Sequence, residues 1–266
     1  MKIGFIGTGN MGGALARAAA KGGHTLLLAN RTPAKAEVLA KELGGTVCPN
    51  AEAAETAELL FLGVKPQGLP GLAGELAPVL QARKGNAPVV VSMATAVTLR
   101  ELDAMLGGGL PLIRIMPNTP AAVGAGTILY AAQNVTDAQL NAFRAVLAQA
   151  GLLLPLPEAQ IDAASAISGC GPAFCFQFAD ALALGGVRAD LSYPDACRLA
   201  AQTMLGAAEM LLQGGEAPDV LKMRVCSPAG TTIEGVLALE QGGFSYTVQN
   251  AVTAAYRRTV EMTRKG

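Results

Sequence analysis

Three glycines near the start of the chain, Gly7, Gly9 and Gly12, have the GxGxxG spacing of a phosphate-binding turn. They follow an apolar run at residues 3–6 and precede a helix-like run at residues 14–20. In a strand–turn–helix unit, the first glycine allows the turn, the second lets a pyrophosphate approach the backbone, and the third permits close packing of helix on strand. Free N–H groups of the helix then face the anion. The stretch predicts a dinucleotide site; the alternative is an ordinary strand–helix turn.

A second polar group, Asn30, Arg31 and Thr32, follows the next strand-like run at residues 25–29. In NAD-dependent enzymes an Asp or Glu usually stands at this strand end and accepts from the ribose 2′-OH. Guanidinium, hydroxyl and amide groups can instead donate to a 2′-phosphate, which a carboxylate would repel. The residues therefore predict NADPH as the preferred cofactor and NADH as a weaker one. The alternative is a solvated turn before a helix that starts at Pro33.

Two turns in the second half of the chain carry groups suited to a carboxylate ligand. SGCGPAF, residues 168–174, interrupts a helical pattern and restarts it with a proline. CSPAGTTIEG, residues 226–235, places hydroxyls beside Gly230 ahead of another helix, and Thr231 with Glu234 fits a capping box. Exposed amides and hydroxyls at a helix start bind carboxylates well. The alternative is that both turns are merely helix starts.

The side chains that usually deliver a proton to a carbonyl oxygen are missing. The single histidine, His24, lies in the turn after the first helix, and none of the four tyrosines has a lysine four residues later. Carbonyl reduction needs a proton on oxygen in the transition state, whereas an imine can be protonated in water before hydride arrives. The sequence therefore favours reduction of a C=N bond by a nicotinamide cofactor, with the substrate held by its carboxylate.

Strand-like runs alternate with helical patterns through the first half of the chain, and several are apolar enough to be buried on both faces of a parallel sheet. We predict strands at residues 3–6, 25–29, 59–64, 89–93, 112–116, 127–131 and 152–156. A helix is predicted at residues 136–149. The pattern indicates an α/β, Rossmann-type doubly wound sheet of seven or eight strands, and we assign it to residues 1–156.

After residue 156 strand signals stop and helical patterns rich in Ala, Leu and Met take over. We predict helices at residues 161–167, 172–184, 193–212, 218–225, 233–239 and 244–262. Several have so little polar face that they require burial nearly all round. Residues 157–266 are therefore predicted to form an all-α dimerisation domain of a homodimer, with further assembly left open. The alternative is a self-contained bundle.

The composition indicates which binding partners and which cellular compartment to expect. The 266 residues carry no formal net charge, so nothing calls for a nucleic acid or a membrane surface. Five cysteines form no CxxC pair, so we expect neither a disulfide framework nor a metal site. The first strand begins at residue 2 and the apolar stretches are interrupted by Pro, Gly and Asn. We therefore expect no signal peptide, no spanning helix and a cytoplasmic location.

Five motifs, in this order, resemble those of pyrroline-5-carboxylate reductase over essentially the whole chain. They are GTGNMG at residues 7–12, VKPQ at 64–67, MPNTPA at 116–121, SGCGPAF at 168–174 and SPAGTTI at 227–233. The resemblance implies a Rossmann domain followed by a helical dimerisation domain. It also implies reduction of 1-pyrroline-5-carboxylate to L-proline, the last step of proline biosynthesis, by hydride transfer from NADPH to the imine carbon.

The resemblance also implies roles for individual residues. The cofactor would be bound by Ile6, Gly7, Thr8, Gly9, Asn10, Met11, Gly12, Asn30, Arg31, Thr32, Asn50, Val64, Lys65, Pro66 and Thr95. Within that set, Asn50 would meet the adenosine ribose, and residues 64–66 would line the nicotinamide end; for Lys65 the alternative is a solvated side chain. The substrate would be held by Ser227, Gly230, Thr231 and Thr232, with the Thr232 hydroxyl near the ring nitrogen and Glu158 close by.

Two departures and two rival functions remain. Ala229 stands where the family commonly has Gly, which is harmless if its φ is below zero, and SMATA at residues 92–96 replaces S-x-A-A-G around Thr95. An NADP-dependent 3-hydroxyacid dehydrogenase has a similar build but places a lysine on its first long C-terminal helix, and residues 168–186 contain none. A non-catalytic NADP(H)-binding sensor would use the helical half for association only.

Overall fold

The computed structural model describes residues 1–263, which fall into two compact units. One unit comprises Met1–Cys170 and the end of the chain from residue 255, and the other comprises Gly171–Ala254. The domain boundary after residue 156 stays a prediction, and each unit is described by itself.

The first unit contains eight strands. They are β1 (Lys2–Ile6), β2 (Thr25–Ala29), β3 (Thr46–Val47), β4 (Leu59–Leu62), β5 (Val89–Ser92), β6 (Leu112–Met116), β7 (Gly126–Gln133) and β8 (Gly151–Pro155). They form one sheet in the order β3-β2-β1-β4-β5-β6-β7-β8, parallel except between β6 and β7. This confirms the Rossmann-type sheet. Sequence analysis missed only β3, because two residues are too few to show a pattern.

Seven helices accompany the sheet. They are α1 (Asn10–Ala20), α2 (Pro33–Leu43), α3 (Asn50–Thr56), α4 (Leu69–Ala82), α5 (Leu99–Met105), α6 (Asp137–Leu147) and α7 (Glu158–Ser168). Apolar side chains fill both faces of the sheet: Phe5 and Phe61 stack on one face with ring centroids 4.6 Å apart, and Leu60 belongs to the opposite cluster. Because β1 and β4 are neighbouring inner strands, the turns at their carboxyl ends lie side by side at one edge of the sheet.

The second unit is entirely helical in its described residues. Its helices are α8 (Gly171–Arg188), α9 (Tyr193–Gly214), α10 (Pro218–Val225) and α11 (Thr231–Gln241), followed by α12 (Phe244–Thr263), which continues past residue 254. The helices predicted after residue 156, including α7, are thus confirmed; the helix at residues 218–225 has the predicted bounds, and the other five are somewhat longer than predicted. Tyr193 donates to Asp180 at 2.8 Å and so ties α9 to α8, and this hydrogen bond raises the pKa of the Tyr193 hydroxyl.

Large apolar side chains of the helical region stand exposed on a single chain. Ile167, Phe176, Leu212, Val225 and Tyr246 are each more than three-fifths exposed. By length and composition alone, the helical stretch at residues 158–188 would also be long and apolar enough to cross a membrane. Helices that bury an apolar face against another chain have the same composition, so this stretch by itself is weak support for a membrane span.

Candidate active site

The glycine turn between β1 and α1 is shaped by close backbone contacts. Gly7 has φ +99°, and a Cβ on Gly12 would lie 2.0 Å from the Gly7 carbonyl oxygen. A Cβ on Gly9, by contrast, would meet nothing within 4 Å. Packing therefore requires Gly7 and Gly12, whereas Gly9 leaves open space in front of the backbone.

The N-terminus of α1 is not capped by any side chain of residues 1–263. Gly9 is its N-cap, and Asn10 and Met11 supply the next N–H groups. The Thr8 hydroxyl is buried and, within residues 1–263, has no hydrogen-bond partner. An unsatisfied buried hydroxyl beside an uncapped helix end and an open glycine fits the phosphate-bearing part of a dinucleotide.

Asn30 joins the glycine turn to the neighbouring turn after β2. Its Oδ1 accepts from the Thr8 N–H at 3.2 Å, and its Nδ2 donates to the Thr32 carbonyl at 2.9 Å. Arg31 is exposed and forms no ion pair with any described residue, and the Thr32 side chain does not cap α2. Of the three residues predicted to meet a 2′-phosphate, Asn30 thus orders the loop, and Arg31 has no ion-pair partner among the described residues that would compete for its charge.

A cavity of about 260 Å³ lies beside the glycine turn, beyond the carboxyl ends of β4, β5 and β6. It is lined by Met11, Gly63, Val64, Lys65, Pro66, Met93, Thr95, Met116 and Pro117. The structure thus brings together the predicted residues Met11, Val64, Lys65, Pro66 and Thr95. Its walls are largely apolar, with Lys65 and Thr95 as the polar side chains, which is the usual lining of a small-molecule site.

Sequence analysis did not include four of the residues that line this cavity: Gly63, Met93, Met116 and Pro117. The signal was available, because each lies in or next to one of the motifs VKPQ, SMATA and MPNTPA. A Cβ on Gly63 would lie 2.4 Å from the Gly7 carbonyl oxygen, so this glycine completes the packing of the turn. Beside Thr95, Ala96 has φ +63°, the conformation that a glycine would adopt without strain.

Ile6 and Asn50 are two further residues predicted to bind the cofactor. Ile6 is the buried last residue of β1, and Asn50 begins α3, where its Nδ2 donates to Glu75 at 3.1 Å. Nearby, burial raises the pKa of the Cys48 thiol, with a smaller contribution from Glu52, so this cysteine stays a neutral thiol. Contact of Asn50 with a ribose stays a prediction.

Glu158, expected near the substrate, is held by protein groups. Its Oε1 accepts from the Leu99 N–H at 2.6 Å and from Arg114 Nη1 at 3.4 Å. Arg114 also donates to Asp162 at 2.5 Å, and its side chain is only 3% exposed. The observed geometry gives Glu158 a part in an ion-pair cluster between β6 and α7 whose arginine is buried and whose carboxylates are partly exposed. A contact with substrate stays a prediction.

The hydroxyl-bearing turn, residues 227–232, lies in the second unit. Gly230 is the N-cap of α11, and its N–H donates to the Ser227 carbonyl at 3.0 Å. The predicted capping box is therefore wrong: Thr231 is the first helical residue, and no side chain caps the helix. With Gly230 as the cap, the Thr231 and Thr232 hydroxyls and the N–H groups at the start of α11 are available to a carboxylate.

Ala229 does not have the negative φ under which an alanine would be harmless at this position. Its φ is +55°, so the alanine occupies the left-handed region where the family commonly has Gly. A Cβ on the following Gly230 would lie 2.2 Å from the Ser227 Oγ and 3.1 Å from the Ser227 carbonyl oxygen. A side chain at residue 230 would therefore displace the Ser227 hydroxyl, which is one of the predicted substrate-binding groups.

Comparison with known proteins agrees with this arrangement. Residues 158–262 match the family model for pyrroline-5-carboxylate reductase dimerisation, and residues 2–96 match the model for NADP oxidoreductase, coenzyme F420-dependent. Among solved structures, pyrroline carboxylate reductase of Plasmodium falciparum with NADP bound has a TM-score of 0.86 at 30% identity, covering 99% of both chains. The Coxiella burnetii pyrroline-5-carboxylate reductase has a TM-score of 0.90 at 32% identity, covering 97% of both.

Curated relatives match over the full length of the chain. Pyrroline-5-carboxylate reductase of Synechocystis is 39% identical, covering 100% of this chain and 99% of the relative. The enzyme of Pseudomonas aeruginosa is 38% identical, covering 98% of this chain and 96% of the relative. With matching motifs, fold and length, the chain belongs to the pyrroline-5-carboxylate reductase family.

Proposed function

We propose that this protein reduces 1-pyrroline-5-carboxylate to L-proline, and that the residues described above bind its cofactor and substrate. The relatives at 38–39% identity carry the name of this activity, and one solved neighbour holds NADP. The observation that carries the residue assignment is the apolar cavity that opens beside the uncapped start of α1 at the carboxyl ends of β4–β6. Ligands of open α/β sheets bind at this edge.

In this proposal the glycine turn binds the cofactor through its phosphates. N–H groups at the start of α1 and the Thr8 hydroxyl donate to the pyrophosphate, while Arg31, Thr32 and the Asn30-ordered loop surround the 2′-phosphate. No Asp or Glu stands at the end of β2 to favour NADH. NADPH is therefore the preferred cofactor.

The cavity holds the nicotinamide ring. Val64, Pro66 and Met116 give the ring an apolar wall to pack against. Lys65 is exposed at this cavity and places a positive charge where an anionic substrate enters. When bound, NADPH would supply the hydride, and the residues of the cavity would hold its nicotinamide ring in position.

The turn of residues 227–232 binds the substrate in this proposal. N–H groups at the start of α11 and the hydroxyls of Ser227 and Thr231 donate to its carboxylate, and the Thr232 hydroxyl lies near the ring nitrogen. The protonated imine accepts hydride at carbon, and the former C=N π electrons become a nitrogen lone pair. The nitrogen keeps its proton, so this reaction requires no protein acid like the histidine or tyrosine of carbonyl reductases.

The exposed apolar helices point to a homodimer. A dimerisation family model covers residues 158–262, and the large exposed side chains of that region would otherwise contact water. We propose a homodimer formed through these helices, in the cytoplasm, with further assembly of dimers left open. Burial between two chains also accounts for the apolar stretch at residues 158–188 without a membrane.

Turnover with defined substrates tests the proposed reaction. Purified protein, 1-pyrroline-5-carboxylate and NADPH should consume NADPH and form proline, followed by absorbance and by chromatography, with NADH slower. A 3-hydroxyacid with NADP⁺ should give no reduction of the cofactor. Folded protein that binds NADPH but forms no proline would instead support a binding role without catalysis.

A further inference from the structure

Two of the five motifs, MPNTPA and SGCGPAF, have no assigned hydrogen bond to cofactor or substrate; MPNTPA only lines the cavity, through Met116 and Pro117. MPNTPA begins with the last residue of β6, and SGCGPAF begins with the last residue of α7. The structure joins them through one side chain, because the Nδ2 of Asn118 donates to the carbonyl of Ser168 at 2.8 Å, across 50 residues of sequence.

Asn118 uses both ends of its amide. Besides the bond to Ser168, its Oδ1 accepts from the backbone N–H of Thr127 in β7 at 2.8 Å, and the residue is 8% exposed. Both partners are backbone groups, one an acceptor and one a donor. Only a side chain that donates and accepts at this spacing satisfies the two, since a carboxylate lacks the donor and an aliphatic chain lacks both.

The amide fixes a wall of the cavity. Pro117, directly before Asn118, and Met116 both line it. The start of α7 is held to β6 through Glu158, Asp162 and Arg114, and its end is held to Asn118. Asn118 thus fastens the wall segment, residues 116–117, to the end of α7, and the start of α7 is in turn fastened to β6.

We propose that Asn118 is a positioning residue for hydride transfer: it holds Met116 and Pro117 against the nicotinamide ring. This inference rests on the proposed function, in which the ring occupies that cavity. Small displacements of a reacting group lower the chemical rate strongly, by up to about a hundredfold per ångström. Binding through the distant phosphates should be far less sensitive.

The test compares Asn118→Asp and Asn118→Ser with Thr127→Val. Asn118→Asp keeps the size and the acceptor but sets a carboxylate oxygen against the Ser168 carbonyl. Asn118→Ser is too short to bridge both partners. Thr127→Val is the matched control, because the Thr127 backbone N–H that Asn118 uses is unchanged. For each variant we would measure thermal unfolding, the Kd for NADPH, the emission of bound NADPH, and kcat and KM.

We expect the Asn118 variants to bind NADPH within about threefold of the wild type while kcat falls at least about tenfold. The emission of bound NADPH should shift towards that of the free cofactor, which does not depend on the substrate or on turnover. Thr127→Val should match the wild type in all respects. A folded Asn118 variant with wild-type kcat and emission would overturn the proposal, as would failure of both variants to fold. Wild-type protein that is inactive on the imine would reject the proposed reaction, yet the emission comparison would still stand.

Discussion

The carbonyl oxygen of Gly7 faces Gly12 so closely that a Cβ at residue 12 would lie 2.0 Å from it. At Gly9, three residues earlier, a Cβ would meet no atom within 4 Å. The two glycines of one motif therefore serve different purposes: Gly12 is required by the fold, and Gly9 by whatever approaches the turn.

Alanine at each glycine should separate these purposes. Gly9→Ala should change Tm by about 2 °C or less but weaken NADPH binding about tenfold or more, because its methyl group occupies the phosphate's approach. Gly12→Ala should lower the free energy of unfolding by about 1–3 kcal/mol or more through overpacking. It should also weaken cofactor binding, because the turn itself is displaced. Thermal unfolding and cofactor titration measure both. Equal effects of the two substitutions on Tm would contradict the assignment.

Arg31 should control the choice of cofactor. Replacing it with Gln removes a charge-assisted hydrogen bond to the 2′-phosphate, so the Kd for NADPH should rise about tenfold or more while the Kd for NADH stays the same. Arg31→Lys keeps the charge and should lie between Gln and the wild type. A parallel loss of both cofactors would show that Arg31 acts on the turn and not on the phosphate.

The Thr232 hydroxyl should matter to the substrate and not to the cofactor. Thr232→Val keeps the shape and removes the hydroxyl, and we expect kcat/KM for the imine to fall about tenfold to a hundredfold. Thr232→Ser retains the hydroxyl and should recover most of that loss. The Kd for NADPH should stay near the wild-type value in both variants. An unchanged kcat/KM for the valine variant would remove Thr232 from the site.

Two alanines with positive φ are expected to destabilise the protein. Ala96 (φ +63°) and Ala229 (φ +55°) each carry the cost of a side chain in the left-handed region, about 1–2 kcal/mol, which glycine avoids. Part of that gain is offset by the greater chain entropy of glycine when unfolded, so each Ala→Gly change should add about 0.5–1 kcal/mol. Ala125→Gly, in an exposed loop outside that region, should instead lower Tm slightly. Calorimetry of the three variants tests the ordering.

Replacing Arg114, the buried arginine on β6, should lower the free energy of unfolding much more than replacing a surface arginine. Arg114→Met leaves the partly exposed carboxylates of Glu158 and Asp162 without their cation and should cost about 2–4 kcal/mol, at or below the range for a fully buried pair. Arg17→Met is the matched substitution at the exposed pair with Glu42 and should change Tm far less. Chemical denaturation provides both values. Similar losses would mean that the buried cluster contributes no more than a surface pair.

The sequence by itself determined nearly all the strands and helices, and it predicted where the cofactor binds. Gly7, Gly9 and Gly12 between an apolar run and a helical one specify strand, turn and helix through local backbone rules, and the polar residues 30–32 mark the next strand end. The long helices after residue 156 follow from their apolar periodicity alone. Such signals are carried by neighbours in the chain, so no tertiary knowledge is needed to detect them.

Only the tertiary structure decided the partners of the polar side chains. Glu158 pairs with Arg114, 44 residues away, and Asn118 bonds to Ser168 across 50 residues; neither spacing has a sequence signature. The N-cap of α11 went to Gly230 and not to Thr231, because cap choice depends on the turn's backbone path, including Ala229 at positive φ. Local sequence preferences favour a backbone conformation, but long-range packing and hydrogen bonding decide which side chains contact one another.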